Sequence, residues 1–222
     1  MKKYRWKLKI KGGPGSGHHG HAGRPGKRGG SLPGRGTNSA VRFSDLDRDE
    51  RKDVIRNLRP DTRLQLFHGV RKPEQALRIL DEGFDPSASA HGGAERVYAG
   101  RLAAQEGYYV SPFKEVSTSF GSFVIEFEAP AKKLTAPPQK DVPEGGAQAD
   151  EFWRSVYPNS FSPGLSSSLS MGESQGLLVD KVGPGDVKAV WVWNGKRGEW
   201  TPLPPGEFKE NVNAGMYKSA HE

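Results

Sequence analysis

The chain contains no cysteine. Disulfides and thiolate metal sites are therefore excluded. Long apolar runs are missing too: none approaches the roughly 18 residues needed to cross a bilayer. The first ten residues are basic, but they alternate Lys with Trp and Leu around no apolar centre, so they do not read as a secretory signal. Only 34% of the chain is hydrophobic, while Gly and Pro number 29 and 17 among 222 residues. That is too little apolar surface to pack the whole length, and part of it is expected to stay unfolded.

Acid is absent from the first 36 residues, which carry ten cations: Lys2, Lys3, Arg5, Lys7, Lys9, Lys11, Arg24, Lys27, Arg28 and Arg35. The chain has 33 basic and 26 acidic residues, so 23 basic residues remain against all 26 acids in the body. The body is near −3, and the basic excess belongs to the tail. Residues 11–36, KGGPGSGHHGHAGRPGKRGGSLPGRG, have almost no apolar side chain to offset the entropy of ordering. Residues 1–40 are read as a disordered basic Gly/His/Arg-rich arm. His18, His19 and His21 stand without another ligand type, so they read as solvated linker and no metal site is assigned. A basic arm of this kind suits nucleic acid or a capsid surface as its contact.

Residues 41–199 read as a single α+β domain. Ser44 is expected to cap a helix running to about residue 58, which Arg59-Pro60 ends. A short strand at 64–67 follows. Pro73 then opens a helix that Gly83 stops. Residues 87–106 read as a polar loop, 108–110 as a strand, 112–119 as a short helix and 123–127 as a strand. Residues 132–146 read as a loop, and 149–157 as a short helix. The Ser-rich stretch 160–172 is expected to be flexible. Strands at 176–182 and 187–193 flank the turn Gly183-Pro184-Gly185. Residues 200–222 are expected to form a loose tail.

Four short segments carry the functional reading. The first is Leu66-Phe67-His68-Gly69, a strand ending in His-Gly. The second is Gly107-Tyr108-Tyr109-Val110-Ser111. The third is Val116-Ser117-Thr118-Ser119-Phe120, on the next helix. The fourth is Gly172-Glu173-Ser174-Gln175-Gly176-Leu177-Leu178-Val179-Asp180. Singly, each has an ordinary explanation: a satisfied surface histidine, a core-and-edge tyrosine pair, a helix terminus. Their order is what matters.

That order resembles the ADP-ribosyltransferase superfamily, in its His-Tyr-Glu branch of poly(ADP-ribose) polymerases and diphtheria toxin. The resemblance covers about residues 64–193. It implies a split β-sheet core with few short helices, and NAD⁺ as substrate with no metal. By resemblance, His68 bonds the adenine-side ribose. The Gly69 backbone and Ser117 bond the nicotinamide carboxamide, and Tyr109 and Phe120 sandwich the nicotinamide ring. Only a residue without Cβ would let the Gly69 backbone come so close. A carboxylate is needed to stabilise the oxocarbenium-like ribose that forms as nicotinamide leaves. The resemblance puts Gln175 at that position, with Glu173 two residues earlier. Side chains two apart on a strand share a face, so both remain candidates. A Ser-Thr-Ser motif also occurs in the Arg-Ser-Glu branch, but there it lies on a strand and an Arg replaces the His; Arg63 is too early in its strand for that role.

The resemblance implies transfer of ADP-ribose to a macromolecular acceptor, a host protein first of all; mono-transfer is expected, because nothing in the sequence suggests a second ADP-ribose site. The arm is similar in composition to low-complexity ends of phage head-morphogenesis proteins. Together these imply a phage-encoded, toxin-like effector of the virion or of the bacterial host cytoplasm, without membrane contact. The rival reading is a virion-associated structural or accessory protein with an inactive NAD-binding domain.

Overall fold

The structure is a computed structural model that describes residues 39–85, 108–137, 146–171 and 177–217. All of these belong to one unit of the chain, Leu32–Glu222. The basic arm and the 87–106 loop lie outside the described residues.

The described residues form a mixed α+β fold with six α-helices and two antiparallel sheets. The larger sheet contains β1 (Arg63–Val70), β3 (Phe123–Pro130), β6 (Val187–Asn194) and β7 (Glu199–Leu203), in the order β1-β3-β6-β7. The smaller sheet contains β2 (Tyr108–Val110), β4 (Leu134–Thr135) and β5 (Leu177–Val179), in the order β2-β5-β4. The helices are α1 (Arg48–Arg56), α2 (Pro73–Glu82), α3 (Lys114–Thr118), α4 (Gly146–Trp153), α5 (Pro163–Ser170) and α6 (Pro205–Asn213). Leu64, Leu66, Ile125, Phe127, Leu177 and Val190 are fully buried in the core between these elements. Burying a side chain of that size contributes about 1.5–3 kcal/mol.

Several elements follow from local chemistry. Pro73 sits in the first turn of α2, and Gly83 ends it at φ 79°. That is a left-handed backbone, and a Cβ at Gly83 would meet the Val182 carbonyl at 2.1 Å, so glycine is required twice over. The cap of α1 departs from the expectation at Ser44. Residues Phe43–Asp45 form a short 3-10 turn, and Asp47 caps the helix instead. Its carboxylate accepts from the N–H groups of Asp49 and Glu50, and Glu50 reaches back to the Asp47 N–H. This reciprocal pair satisfies more of the free N–H groups than one Ser hydroxyl could.

Two expectations are overturned. The Ser-rich stretch forms α5, and Ser166, Ser167 and Ser168 are buried within it. Ser166 donates to the Ile55 carbonyl at 2.7 Å, and Asp150 of α4 accepts from the Gly164 N–H at 2.7 Å. A Cβ on Gly164 would lie 2.8 Å from the Ala149 methyl, so small residues are what let α4 and α5 pack closely. The C-terminal residues are not a loose tail either. They supply β7, paired with β6 from Val190 to Asn194, and then α6. Phe208 of α6 is fully buried, edge-on to Phe123 and stacked on Tyr217. The loop expected after residue 132 is partly ordered, as the short strand β4 against β5.

Candidate functional site

Strand β1 is where the two sheets meet. On one side it pairs with β3 along its whole length. On the other side Arg63 and Gln65 bond the backbone of Val41, and Phe67 exchanges both backbone bonds with Ser111, at 2.8 and 2.9 Å. In an antiparallel ladder the polar groups of alternate residues point the same way. Gly69 therefore turns its N–H and C=O to the Ser111 side, away from β3. Its opposite residue agrees: Gly69 faces Val124, and one step of two residues away the Ser122 carbonyl accepts from Trp193 of β6. Past the Phe67–Ser111 pair β1 makes no further bond to a described residue on that side, so among the described residues Gly69 offers one donor and one acceptor at the sheet edge.

Helix α3 closes over this edge. The Ser117 hydroxyl donates to the Phe67 carbonyl at 2.9 Å and is buried. A Cβ at Gly69 would lie 2.2 Å from the Ser117 carbonyl and 3.0 Å from the Phe120 Cβ. The structure adds a reason for glycine at 69: the protein's own helix already fills the space a side chain would take. The Ser117 proton is spent on Phe67, so toward a ligand the hydroxyl presents lone pairs. Phe120, 49% exposed, follows on the turn after α3.

His68 points to the opposite face of β1, half-buried and edge-on to Phe84 and Tyr108 at 5.5 and 5.4 Å. Its Nδ1 lies 2.8 Å from the Tyr109 carbonyl. A carbonyl only accepts, so Nδ1 carries the proton and Nε2 keeps its lone pair. Burial lowers the pKa of His68 below the ordinary 6.5, and the Tyr109 bond offsets this only in part. Protonation therefore favours the unfolded chain. This stability is whole above pH 6.5 and is lost as pH falls below it toward the lowered value. In melting curves, wild type should lose its advantage over His68→Gln as pH drops from 7 to 5. A difference that stays constant across that range would contradict the burial argument.

The structure thus gathers these residues at the β1 edge on two faces: Ser117 and Phe120 over Gly69 on one, and His68, bonded to the Tyr109 carbonyl, on the other. Tyr109 is half-buried in β2 opposite Leu178 of β5. Glu173 and Gln175 lie outside the described residues, four and two positions before Leu177. Arg63 is committed elsewhere, to Asp186 at 2.8 Å and Glu128 at 3.5 Å, which agrees with leaving it out of the site.

Sequence reasoning missed one group next to the site. Glu126 is a buried carboxylate on β3, opposite Phe67. It accepts from the Gln65 amide and, at 2.7 Å, from the Trp191 indole N–H. Lys114 of α3 sits 3.7 Å over the Trp191 ring. These contacts pin the start of α3 to the sheet face on which Gly69 lies. The signal was present, since polar Gln65 and Glu126 interrupt apolar strands, but only the register shows that they meet.

A scan against protein-family models finds no match to the chain, and a search of curated proteins finds none.

Proposed function

We propose that the protein is a NAD⁺-dependent ADP-ribosyltransferase. The observation that carries the reading is the edge of β1: the donor and acceptor of Gly69, without a partner among the described residues, lie under Ser117 and Phe120, and the adjoining His68, on the other face of the strand, keeps an Nε2 lone pair. That set matches NAD⁺ group by group. The Gly69 N–H bonds the carboxamide oxygen, and the Gly69 carbonyl accepts one amide N–H. The Ser117 oxygen accepts the other. A ribose hydroxyl on the adenine side donates to Nε2 of His68. Tyr109 and Phe120 supply ring surface for the nicotinamide.

The chemistry needs positioning and charge stabilisation more than a strong base. The bond from ribose C1′ to the nicotinamide nitrogen breaks, and its electron pair leaves with nicotinamide. The acceptor's nucleophile forms the new bond to C1′ and gives up its proton. Glu173 is the carboxylate assigned to the nicotinamide ribose, with Gln175 beside it in sequence. The acceptor is a protein, and transfer is of a single unit.

The tyrosine tests the geometry of ring binding. Face contacts between aromatic rings are worth about 0.5–1.5 kcal/mol beyond their buried area, and a hydroxyl adds nothing to them. Tyr109→Ala is expected to raise the NAD⁺ concentration needed for nicotinamide release by about tenfold, and Tyr109→Phe to leave it nearly unchanged. Equal damage from the two substitutions would mean that the hydroxyl acts and the ring does not.

A further inference from the structure

We infer that the cleft between α1, the start of α3 and the end of α5 binds single-stranded nucleic acid through the guanidinium groups of Arg48, Arg51 and Arg56. The inference does not depend on the transferase reading. It rests on a cavity of about 430 Å³ whose lining includes these three arginines, Lys52, Phe113 and Tyr157. A cavity of that size is in the range that holds small ligands or a nucleotide.

The helix is sorted by charge. Arg48, Arg51, Lys52 and Arg56 fall at spacings of three, four and eight residues, so they share one face of α1. The acids of the same helix, Asp49, Glu50 and Asp53, do not line the cleft. Lys52 is neutralised by Asp49 at 3.0 Å. No acid partner for Arg48, Arg51 or Arg56 is found among the described residues. Three cations with no acid partner among the described residues thus face one cleft in a body whose net charge, these three included, is near −3.

Arg51 adds a second observation. Its guanidinium carbon lies 5.3 Å over the Phe113 ring, and its Nε is buried with no hydrogen-bond partner among the described residues. A buried donor left unpaired is costly, and an anionic acceptor in the cleft would satisfy it.

The ligand must carry repeated charge. At 1.5 Å of rise per residue, Arg48 and Arg56 are spread over about 12 Å of helix, more than one carboxylate or one phosphate spans. Nucleic acid fits better than an acidic peptide, because the cleft also offers ring surface and a ring-held guanidinium on which a base can stack. A splayed single strand can enter a concave cleft of this size, whereas a stacked duplex is a convex rod. The cleft borders the candidate site: the Phe113 N–H donates to the Ser111 hydroxyl, and Ser111 pairs with Phe67, next to His68.

The test uses the full chain and a fluorescent single-stranded oligonucleotide, with binding followed by anisotropy across a salt series. The arm is present in every variant, so its contribution is common to all. Each phosphate contact contributes a slope of about −0.7 in log K against log salt for single strands. Replacing Arg48, Arg51 and Arg56 together by Gln should flatten the slope by about two and weaken binding about tenfold or more at moderate salt. Arg48→Glu with Arg56→Glu touches only exposed side chains, and should flatten the slope by more than one with unchanged melting. An unchanged slope in the double variant overturns the inference. So does a greater loss of binding to polyglutamate than to the oligonucleotide, which would make the occupant an acidic peptide. A weakened Kd for NAD⁺ in the double variant would assign the cleft to the dinucleotide, and overturns it equally.

Discussion

Glu173→Gln is expected to lower kcat for ADP-ribose transfer about 10²–10³-fold while NAD⁺ still binds. The substitution keeps the shape of the side chain and removes its charge. If that charge offsets the oxocarbenium-like ribose, the loss falls on the chemical step and not on binding. Glu173→Ala should be as inactive. Gln175→Glu is the informative converse, since it puts a carboxylate where the resembling family carries one; NAD⁺ hydrolysis should be retained or increased. Normal turnover by the Glu173 variants would remove Glu173 from the mechanism. An inert wild type that gains turnover with Gln175→Glu would identify the natural chain as an inactive NAD-binding domain, and favour the accessory-protein reading.

Phe208→Ala is expected to destabilise the domain by about 3–5 kcal/mol, the usual cost of deleting a buried phenylalanine ring. For a domain of this size that lowers the melting temperature by about 6–20 °C. The ring is fully buried against Phe123 and Tyr217, and Phe123 begins β3, the strand that carries β1. The effect therefore spreads to the β1 edge. Substitutions in a loose tail would stay within about 0.5 kcal/mol. Thermal melting separates the two outcomes, and a shift of a degree or less would return residues 205–213 to the status of a tail.

The elements legible in the sequence were those with strong punctuation. Pro73 and Gly83 frame α2, and the alternation of Phe123 to Phe127 marks β3. The β1 and β2 segments were legible through their short motifs. Helix α5 was not, because PGLSSSLS has weak helix formers and no polar-apolar stripe. It forms through tertiary contacts, the Ser166 bond to Ile55 and the close packing of Gly164 on Ala149, and local propensity does not report these. Helix α6 was hidden for a related reason. Its anchor is one residue, Phe208, whose partner Phe123 lies 85 positions earlier in the chain.

The candidate site was legible as residue types and not as geometry. His68, Gly69, Tyr109, Ser117 and Phe120 stand out by order and spacing. Which hydroxyl spends its proton on a carbonyl, and what occupies the space over Gly69, depend on how α3 lies across β1. The arginine face of α1 was not legible: RDERKDVIR reads as evenly mixed charge, and only the lining of the cleft shows that the arginines and not the acids face it.

The most direct test of the transferase reading is incubation of the full chain with NAD⁺ carrying separate labels on the adenine and the nicotinamide, in a bacterial lysate. The expected result is covalent retention of the adenine label on protein, an equal amount of free nicotinamide, and loss of both signals in Glu173→Gln. Intact NAD⁺ after incubation with folded protein would contradict the account.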